Sequence, residues 1–452
     1  MDNKILIVSF ECVPDASYTS TKVLMLTDCL TRAFNVDVLT LKYEGLAHLE
    51  KWLGARIYRV PVENMTFKER ISTFRRALSR QLEGGMYDIV HFTDPFGGLV
   101  ASNLKEDYGF NTIFDIYSLS SWELKFAGIS QSLYSQIKEE EDLCLKKADR
   151  IFIPSLTMME YFSQRGFSEN IRFIPGVVKL RKPVESEREG LFNILYIGSF
   201  SGWEDIDLFF YAIKKLKKNY NIQVNIVGFT NPERLGDIVT RIQKLGIDDV
   251  FRFEGPRYGS ELENIYKKTN VAVVPLNDAN RNIVGGVIPL KLLDMMSASV
   301  PVVATKTPAL ESSFKNGEEI LLYDMGNENM LYTHLVALAE HNTLREMIGS
   351  KARKKIEEEY AGEPWRRRML VYYSELLNIN IENVSIAGEW EESETREMIV
   401  KELQHVISRQ RETTTSTTNK RIKRKGTGSH TSTKTKKVRV DASSEETFKI
   451  KR

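Results

Sequence analysis

Residues 285 to 294, Gly-Gly-Val-Ile-Pro-Leu-Lys-Leu-Leu-Asp, combine types suited to an anion with a sugar attached. Pro289 fits a first helical position, because its missing N–H has no helical partner there. Gly285 and Gly286 remove side chains just upstream, so a ligand can approach the backbone of Val287, Ile288 and Leu290 closely. The free N–H groups of a helix start, and the positive end of its dipole, favour an anion. Lys291 adds a formal charge nearby, and Asp294, about one turn further on, can accept hydrogen bonds from hydroxyls. The same residues equally describe a tight turn followed by an ordinary helix, and spacing alone leaves both readings open.

Strand-like and helix-like segments alternate around this stretch. Ile5–Phe10, Val36–Thr40, Arg56–Val60, Asp88–Phe92, Thr112–Asp115 and Arg150–Ile153 read as strands. Between them, Val23–Phe34 and Thr66–Leu82 have helical spacing, and Gly97-Gly98 precedes a further helix. Arg181 to Gly190 is polar and reads as a linker. The pattern then restarts with Asn193–Gly198 and Gln223–Gly228, two strands ending on glycine, followed by Val250–Phe253 and Val271–Val274. This alternation predicts an α/β chain of two doubly wound parallel sheets. Such sheets bind ligands beyond the carboxyl ends of their strands, so two in tandem can face each other across a cleft. The expected organisation is a first domain over 1–180, a linker over 181–192 and a second domain over 193–362. A helix over 363–380, with Trp365, Met369, Tyr372 and Leu376 on one side, then precedes a helical appendage over 381–410.

At 452 residues, with the apolar and charged fractions of a soluble protein, the chain can bury large cores. No apolar run approaches the roughly 18 residues that span a bilayer. The start of the chain lacks a signal peptide's apolar core, so a cytoplasmic location is expected. The three cysteines have no ligand spacing and read as reduced core thiols. Residues 411–452 hold 13 Lys/Arg against 4 Asp/Glu, a charge of +9 that leaves −7 on the rest of a chain of net +2. With few large apolar residues, this basic tail is expected to be disordered and to meet polyanions without specificity for nucleic acid.

Several segments, taken in order, resemble the family 4 glycosyltransferases. "GGVIPLKLLDMMSASVPVVAT" (285–305) is similar to that family's donor-site loop, helix and strand. "DIVHFTDP" (88–95), "ADRIFIPS" (148–155), "IRFIPGVV" (171–178), "NILYIGSF" (193–200), "VNIVGF" (224–229) and "VFRFEGP" (250–256) follow in the family's order. The resemblance covers much of residues 4–377. It implies the two-domain GT-B fold, with Rossmann-like domains facing across a cleft and the 363–380 helix crossing back. It also implies sugar transfer from a nucleoside diphosphate with retention, no metal and no other cofactor. Donor contacts would fall on Gly198, Ser199, Gly228, Gly285, Gly286, Val287, Ile288, Pro289, Leu290, Lys291 and Asp294. The acceptor side would hold Asp15, Thr21, His91, Asp115, Tyr117 and Trp122, with Lys291, Asp294, His91 and Asp115 closest to the chemistry. A glycan or lipid-linked acceptor is implied, and the basic residues beside the Thr66–Leu82 stripe suit an anionic membrane surface or simply a solvated helix face.

The chain departs from the family in places. Gly286 stands where the family's first glutamate meets the donor sugar, and Asp294 takes the second glutamate's place. Ser199 and Trp203-Glu204-Asp205 replace an arginine and a lysine that hold the pyrophosphate. Ser299 replaces a helix-ending glycine, at a cost on the order of 1 kcal/mol if it adopts the left-handed conformation. These departures keep open a non-catalytic sugar-nucleotide-binding subunit and, less well, a GT-B-fold epimerase. Asp205-Ile206-Asp207 has a metal-binding form but reads better as the acidic first turn of a helix. Composition alone yields one test. Deleting residues 411–452 is expected to leave the melting temperature unchanged, because nothing there can build a core. A drop of several degrees in a thermal scan would show that the tail packs.

Overall fold

The computed structural model describes residues 3–14, 18–43, 45–126, 128–183, 190–228, 232–257 and 259–379. Asp15, the 381–410 appendage and the basic tail lie outside the described residues. The first sheet has eight strands: β1 (Lys4–Cys12), β2 (Asn35–Lys42), β3 (Leu49–Trp52), β4 (Ala55–Pro61), β5 (Ile89–Phe92), β6 (Asn111–Asp115), β7 (Arg150–Ile153) and β8 (Ile171–Phe173). Their order is β3-β4-β2-β1-β5-β6-β7-β8. The second sheet has β9 (Phe192–Ile197), β10 (Ile222–Val227), β11 (Phe251–Gly255), β12 (Val271–Val274), β13 (Val302–Thr305) and β14 (Leu321–Tyr323), in the order β11-β10-β9-β12-β13-β14. All pairs are parallel except β3–β4. The molecule is therefore α/β with two Rossmann-like sheets, as the alternating pattern predicts.

Strands covered on both faces read as continuous apolar runs, and β5 and β12 are buried at every position. The strand order reverses between β1 and β5 and again between β9 and β12. Those two switch points are where ligand crevices form in such sheets. The residues just past them are Thr93 and Asp94 in the first half, and Gly198 and Pro275 in the second.

Some elements differ from expectation. Gly97 and Gly98 lie inside the helix Pro95–Tyr108, not ahead of it. Asp94 caps that helix, accepting from the N–H groups of Phe96 (3.0 Å) and Gly97 (3.1 Å), and also accepts from Phe10 N–H at 2.7 Å. The glycines let the helix sit close on the sheet: a Cβ at Gly97 would lie 2.5 Å from Val8, and one at Gly98 2.5 Å from Phe92. The β3–β4 hairpin was not anticipated. Its tight turn uses Leu53 and Gly54, both at positive φ, and the charged Glu50 and Lys51 sit on a short edge strand that has no apolar alternation to reveal it. The first helix spans Tyr18–Leu30 rather than Val23–Phe34.

Ser299 does adopt the left-handed conformation, with φ 62°, at the end of the helix Leu290–Ser297. Its carbonyl oxygen packs against Gly349, where a Cβ would lie only 2.2 Å away. The last described helix, Gly362–Leu377, buries Trp365, Met369, Leu370 and Tyr373 in the same cluster as Ile5, Ile7, Val23 and Leu26 of the first half. It thus returns to the first sheet, but on a face rotated from the expected one: Tyr372 and Leu376 are only partly buried. The apolar stripe of the helix Phe67–Gly84 also faces the core, through Ile71, Phe74, Leu78 and Leu82. No described helix is long and apolar enough to cross a membrane.

A buried carboxyl links the short helix Ser120–Leu124 to its support. Glu141, on the helix Gln131–Lys147, accepts from Ser121 Oγ at 2.6 Å. Burial pushes its carboxyl up to about 7 from 4.5, although the Ser121 hydrogen bonds oppose the rise. The folded state thus holds the proton more tightly than the unfolded chain does. The stabilisation is full below pH 4.5 and is lost as pH rises through about 7. Glu141→Gln is expected to match wild type at about pH 4, below the unfolded-chain value, and to exceed it by on the order of 2–3 kcal/mol at alkaline pH. Melting curves of both proteins at the two pH values check this, and a constant difference would contradict it.

Candidate active site

The second half contributes a loop built around one carboxylate. Glu204 is buried; its Oε2 accepts from Tyr196 Oη at 2.7 Å and from Ser201 N–H at 2.8 Å. The Tyr196 hydroxyl accepts in turn from Phe200 N–H at 3.1 Å. These bonds fold residues 198–204 back over the end of β9. Gly228, at φ 139°, lets the end of β10 approach closely, since a Cβ there would lie 2.0 Å from Gly198 O. Ser199 is exposed, and its hydroxyl pairs with that of Ser201 at 2.7 Å. Lys291 reaches onto this loop. Its ammonium pairs with Glu204 Oε1 and lies 5.0 Å from the centroid of the Tyr196 ring.

The helix Leu290–Ser297 starts one residue later than expected, with Pro289 as its cap residue at φ −62° and ψ 128°. No side chain of its own caps it. Instead Tyr117 reaches over from the first half. Its hydroxyl donates to Ile288 O at 3.4 Å and is hydrogen-bonded by the Leu290 backbone and by Arg281. Burial raises the Tyr117 phenol while the neighbouring Arg281 opposes that, so it stays a neutral donor and acceptor.

The glycine pair lies where the halves press together. A Cβ at Gly285 would meet the Trp122 ring at 2.4 Å. One at Gly286, at φ 57°, would meet Thr157 Cβ at 2.5 Å and Ser155 Oγ at 2.7 Å. What approaches this backbone here is the first domain. Val287 and Ile288 are buried beside it. Trp122 packs edge-on against Tyr161, 5.4 Å between centroids, rather than lying open as a platform. Phe126 against Trp203, at 6.0 Å, extends the seam, and Arg281 closes it. Arg281 Nε lies 3.4 Å from Glu123 Oε1, and its guanidinium is 4.5 Å from the Trp203 ring.

Asp294 is engaged through both oxygens. It accepts from Arg181 Nε at 2.7 Å and from Tyr266 Oη at 2.6 Å. Arg181 begins the linker, so this carboxylate ties the helix to the joint between domains. Of the Asp-x-Asp pair, Asp205 caps the helix Ile206–Leu216 through Leu208 N–H at 3.2 Å, and Asp207 pairs with Arg241 at 3.2 Å.

In the first half a cavity of about 280 Å³ opens past β1, β5 and β6, lined by Phe10, Glu11, Thr19, Lys22, Phe67, Asp115, Tyr117 and Glu123 among others. Asp115 sits at its wall with Lys22 on Oδ1 and His91 Nε2 3.2 Å from Oδ2. Burial alone would raise the Asp115 carboxyl, but Lys22 and His91 outweigh it and hold it at about 2. His91 is completely buried and does not line the cavity; burial lowers its pKa despite Asp115, so the imidazole is neutral. Its other nitrogen lies 2.6 Å from Tyr373 Oη. Thr21 is exposed on its helix, whereas Thr19 and Lys22 line the cavity.

Sequence reasoning missed Lys22, Glu123, Arg281 and Tyr373. The one cue for Lys22 was a lone cation entering the apolar run Val23–Leu26; the other three are brought in only by the fold.

Two sequence families match. The domain described as "Glycosyl transferases group 1" matches residues 179–355, and "Glycosyl transferase 4-like domain" matches residues 19–176. Solved structures share the fold. Sucrose-phosphate synthase from Thermosynechococcus elongatus is 19% identical with a TM-score of 0.71, over 83% of this chain and 99% of that one. The Anabaena protein HepE in complex with UDP and glucose is 13% identical with a TM-score of 0.65, over 82% and 100%. A glycosyltransferase from Rickettsia africae is 13% identical with a TM-score of 0.61, over 84% and 100%. No curated protein matches. With both halves matched and the fold in place, this chain is a glycosyltransferase of the GT-B type.

The seam gives a direct test. Gly286→Ala adds a Cβ against Thr157 in a left-handed backbone conformation, so a loss of about 2–4 kcal/mol is expected from strain and overpacking. Thr157→Ala in the same chain is expected to recover part of it. Calorimetric melting of the single and double variants checks this; an unchanged melting temperature for Gly286→Ala would show that the halves do not press together there.

Proposed function

We propose that the chain moves a sugar from a nucleoside-diphosphate sugar to a glycan, lipid-linked or other acceptor, as a family 4 type hexosyltransferase acting with retention. The observation that carries this is the convergence of Lys291, the Leu290 helix start and the glycine ends of β9 and β10 at one switch point. A diphosphate fits that place. Its charge would meet the helix dipole and one ammonium once Lys291 exchanges Glu204 for phosphate and the Tyr117 contact at Leu290 opens. The same groups would stabilise charge growing on the leaving diphosphate, where preorganised electrostatics accelerates transfer most. HepE, of the same fold, was solved with UDP and with UDP-glucose.

The two domain matches do not favour a binding-only subunit or an epimerase. In this reading no metal takes part: Lys291 would supply the cation, Gly198, Ser199, Gly228 and residues 285–290 the backbone once the first-domain contacts there yield, and Asp294 a ribose-side carboxylate. Asp294 would have to give up the Tyr266 hydroxyl to take a ribose hydroxyl, an exchange that leaves a buried tyrosine donor to be satisfied anew. The acceptor would enter the Asp115 cavity, beside Tyr117. Lys68, Arg76 and Arg80 are exposed on the helix Phe67–Gly84 and suit peripheral contact with an anionic inner membrane face from a cytoplasmic position.

Lys291→Ala is expected to weaken nucleoside diphosphate binding by about 10- to 150-fold, the range for a lost hydrogen bond to a charged group. It is also expected to lower kcat, since leaving-group charge grows in the transition state. Calorimetric titration of UDP, GDP, ADP and dTDP into both proteins decides it. Absence of binding to wild type would overturn the transfer reading; equal affinity in the variant would overturn the role of Lys291.

A further inference from the structure

Behind the acceptor cavity runs a closed chain of buried polar groups from four distant parts of the sequence. Lys22, Asp115, His91 and Tyr373 are 5%, 3%, 0% and 0% exposed. Lys22 holds one oxygen of Asp115 and His91 Nε2 holds the other. On the far side the Tyr373 hydroxyl meets His91 Nδ1 at 2.6 Å, and the two rings stack at 6.0 Å with 8° between their planes. Donors and acceptors match in one way only. An ionised Asp115 accepts, so Nε2 carries the imidazole proton. Nδ1 is then an acceptor, and the Tyr373 hydroxyl donates to it. The ring of His91 is held at both nitrogens, and its position fixes Oδ2 of Asp115.

We propose that Tyr373, carried by the helix that returns from the second half, is a positioning residue for sugar transfer, acting through His91 on the Asp115 carboxylate at the acceptor cavity. This rests on the transfer reading of that cavity. A purely structural role is the competing account, and the arrangement argues against it. A Phe would fill the same space beside Phe34, Phe152 and His91. The hydroxyl adds only the bond to Nδ1. Burying a histidine is costly unless both ring nitrogens are hydrogen-bonded, and here the second partner is the Tyr373 hydroxyl, 282 residues away in sequence. The site on the first sheet is thus complete only when the chain beyond the second domain has folded back onto it.

The test is a double-mutant cycle on the full chain. Tyr373→Phe keeps the stacking ring, and His91→Gln can place an amide N–H on Asp115 without needing the tyrosine. Nucleotide release is followed from whichever of UDP-glucose, UDP-N-acetylglucosamine, GDP-mannose, ADP-glucose or dTDP-glucose wild type turns over fastest. Melting temperature and nucleoside diphosphate affinity are measured for every variant. Tyr373→Phe is expected to lower kcat about tenfold with nucleotide affinity unchanged within about twofold, and to change kcat less than about twofold in the His91→Gln background. In ¹⁵N-histidine spectra the Nδ1 resonance of His91 is expected to shift on Tyr373→Phe, reporting loss of its donor. Equal kcat for wild type and Tyr373→Phe, or the same loss in both backgrounds, would overturn the inference. A wild type that releases no nucleotide and binds none would instead overturn the transfer reading on which it rests.

Discussion

The backbone at Gly285–Gly286 sets the relation between the two halves of this molecule. Two parallel sheets can share a ligand only if their carboxyl ends face each other closely, and side chains at the point of contact would hold them apart. Here a single Cβ on either glycine would run into Trp122 or Thr157. The contact brings Tyr117 to Ile288 O and the Leu290 helix start, and places Arg281 between Glu123 and Trp203. An uncapped helix start and a buried guanidinium are both costly alone. Tyr117 of the opposite domain meets the first, and Glu123 of that domain, with Trp203 of its own half, meets the second, so closure and local stability depend on one another.

The charged groups around the cleft follow a common rule. Lys291 is matched by Glu204, Asp294 by Arg181 and Tyr266, and Asp115 by Lys22 and His91. A charge buried unpaired would cost several kcal/mol, so the residues that suit a polyanionic ligand are held by internal partners. A ligand must therefore exchange partners rather than fill bare charge. Exchange is cheapest where the internal partner is itself well held. Glu204 keeps two further donors, Tyr196 and Ser201, on Oε2, but Lys291 is the partner of Oε1, so its release leaves a buried carboxylate oxygen and charge to be compensated.

The sequence revealed the architecture and the chemistry of one loop because both are local. Apolar runs such as Ile194–Ile197 and Val271–Val274 mark buried parallel strands directly. The left-handed conformation of Ser299 was raised by the resemblance, which puts a helix-ending glycine at that place, rather than by the chain's own pattern. The glycine pair showed that something must come close, but not what, since both a ligand and a neighbouring domain require the same absence of side chains. The β3–β4 hairpin escaped because an edge strand of four residues carries no periodicity to read. Lys22, Arg281 and Tyr373 escaped for a different reason: each matters through a partner more than 90 residues away.

That last class says something about how the site is built. The end of the second sheet that carries Lys291 draws mainly on residues 196–294, with Tyr117 and Arg181 reaching in from outside that range. The cluster at the first sheet's cavity takes Lys22 from the first helix, His91 and Asp115 from neighbouring strands, and Tyr373 from the last described helix. Lys22 and Asp115 line the cavity while His91 and Tyr373 stand behind it, so a shift of any of these four elements reaches the cavity wall. The two ends of the cleft thus differ in how many independent elements must agree before each is formed.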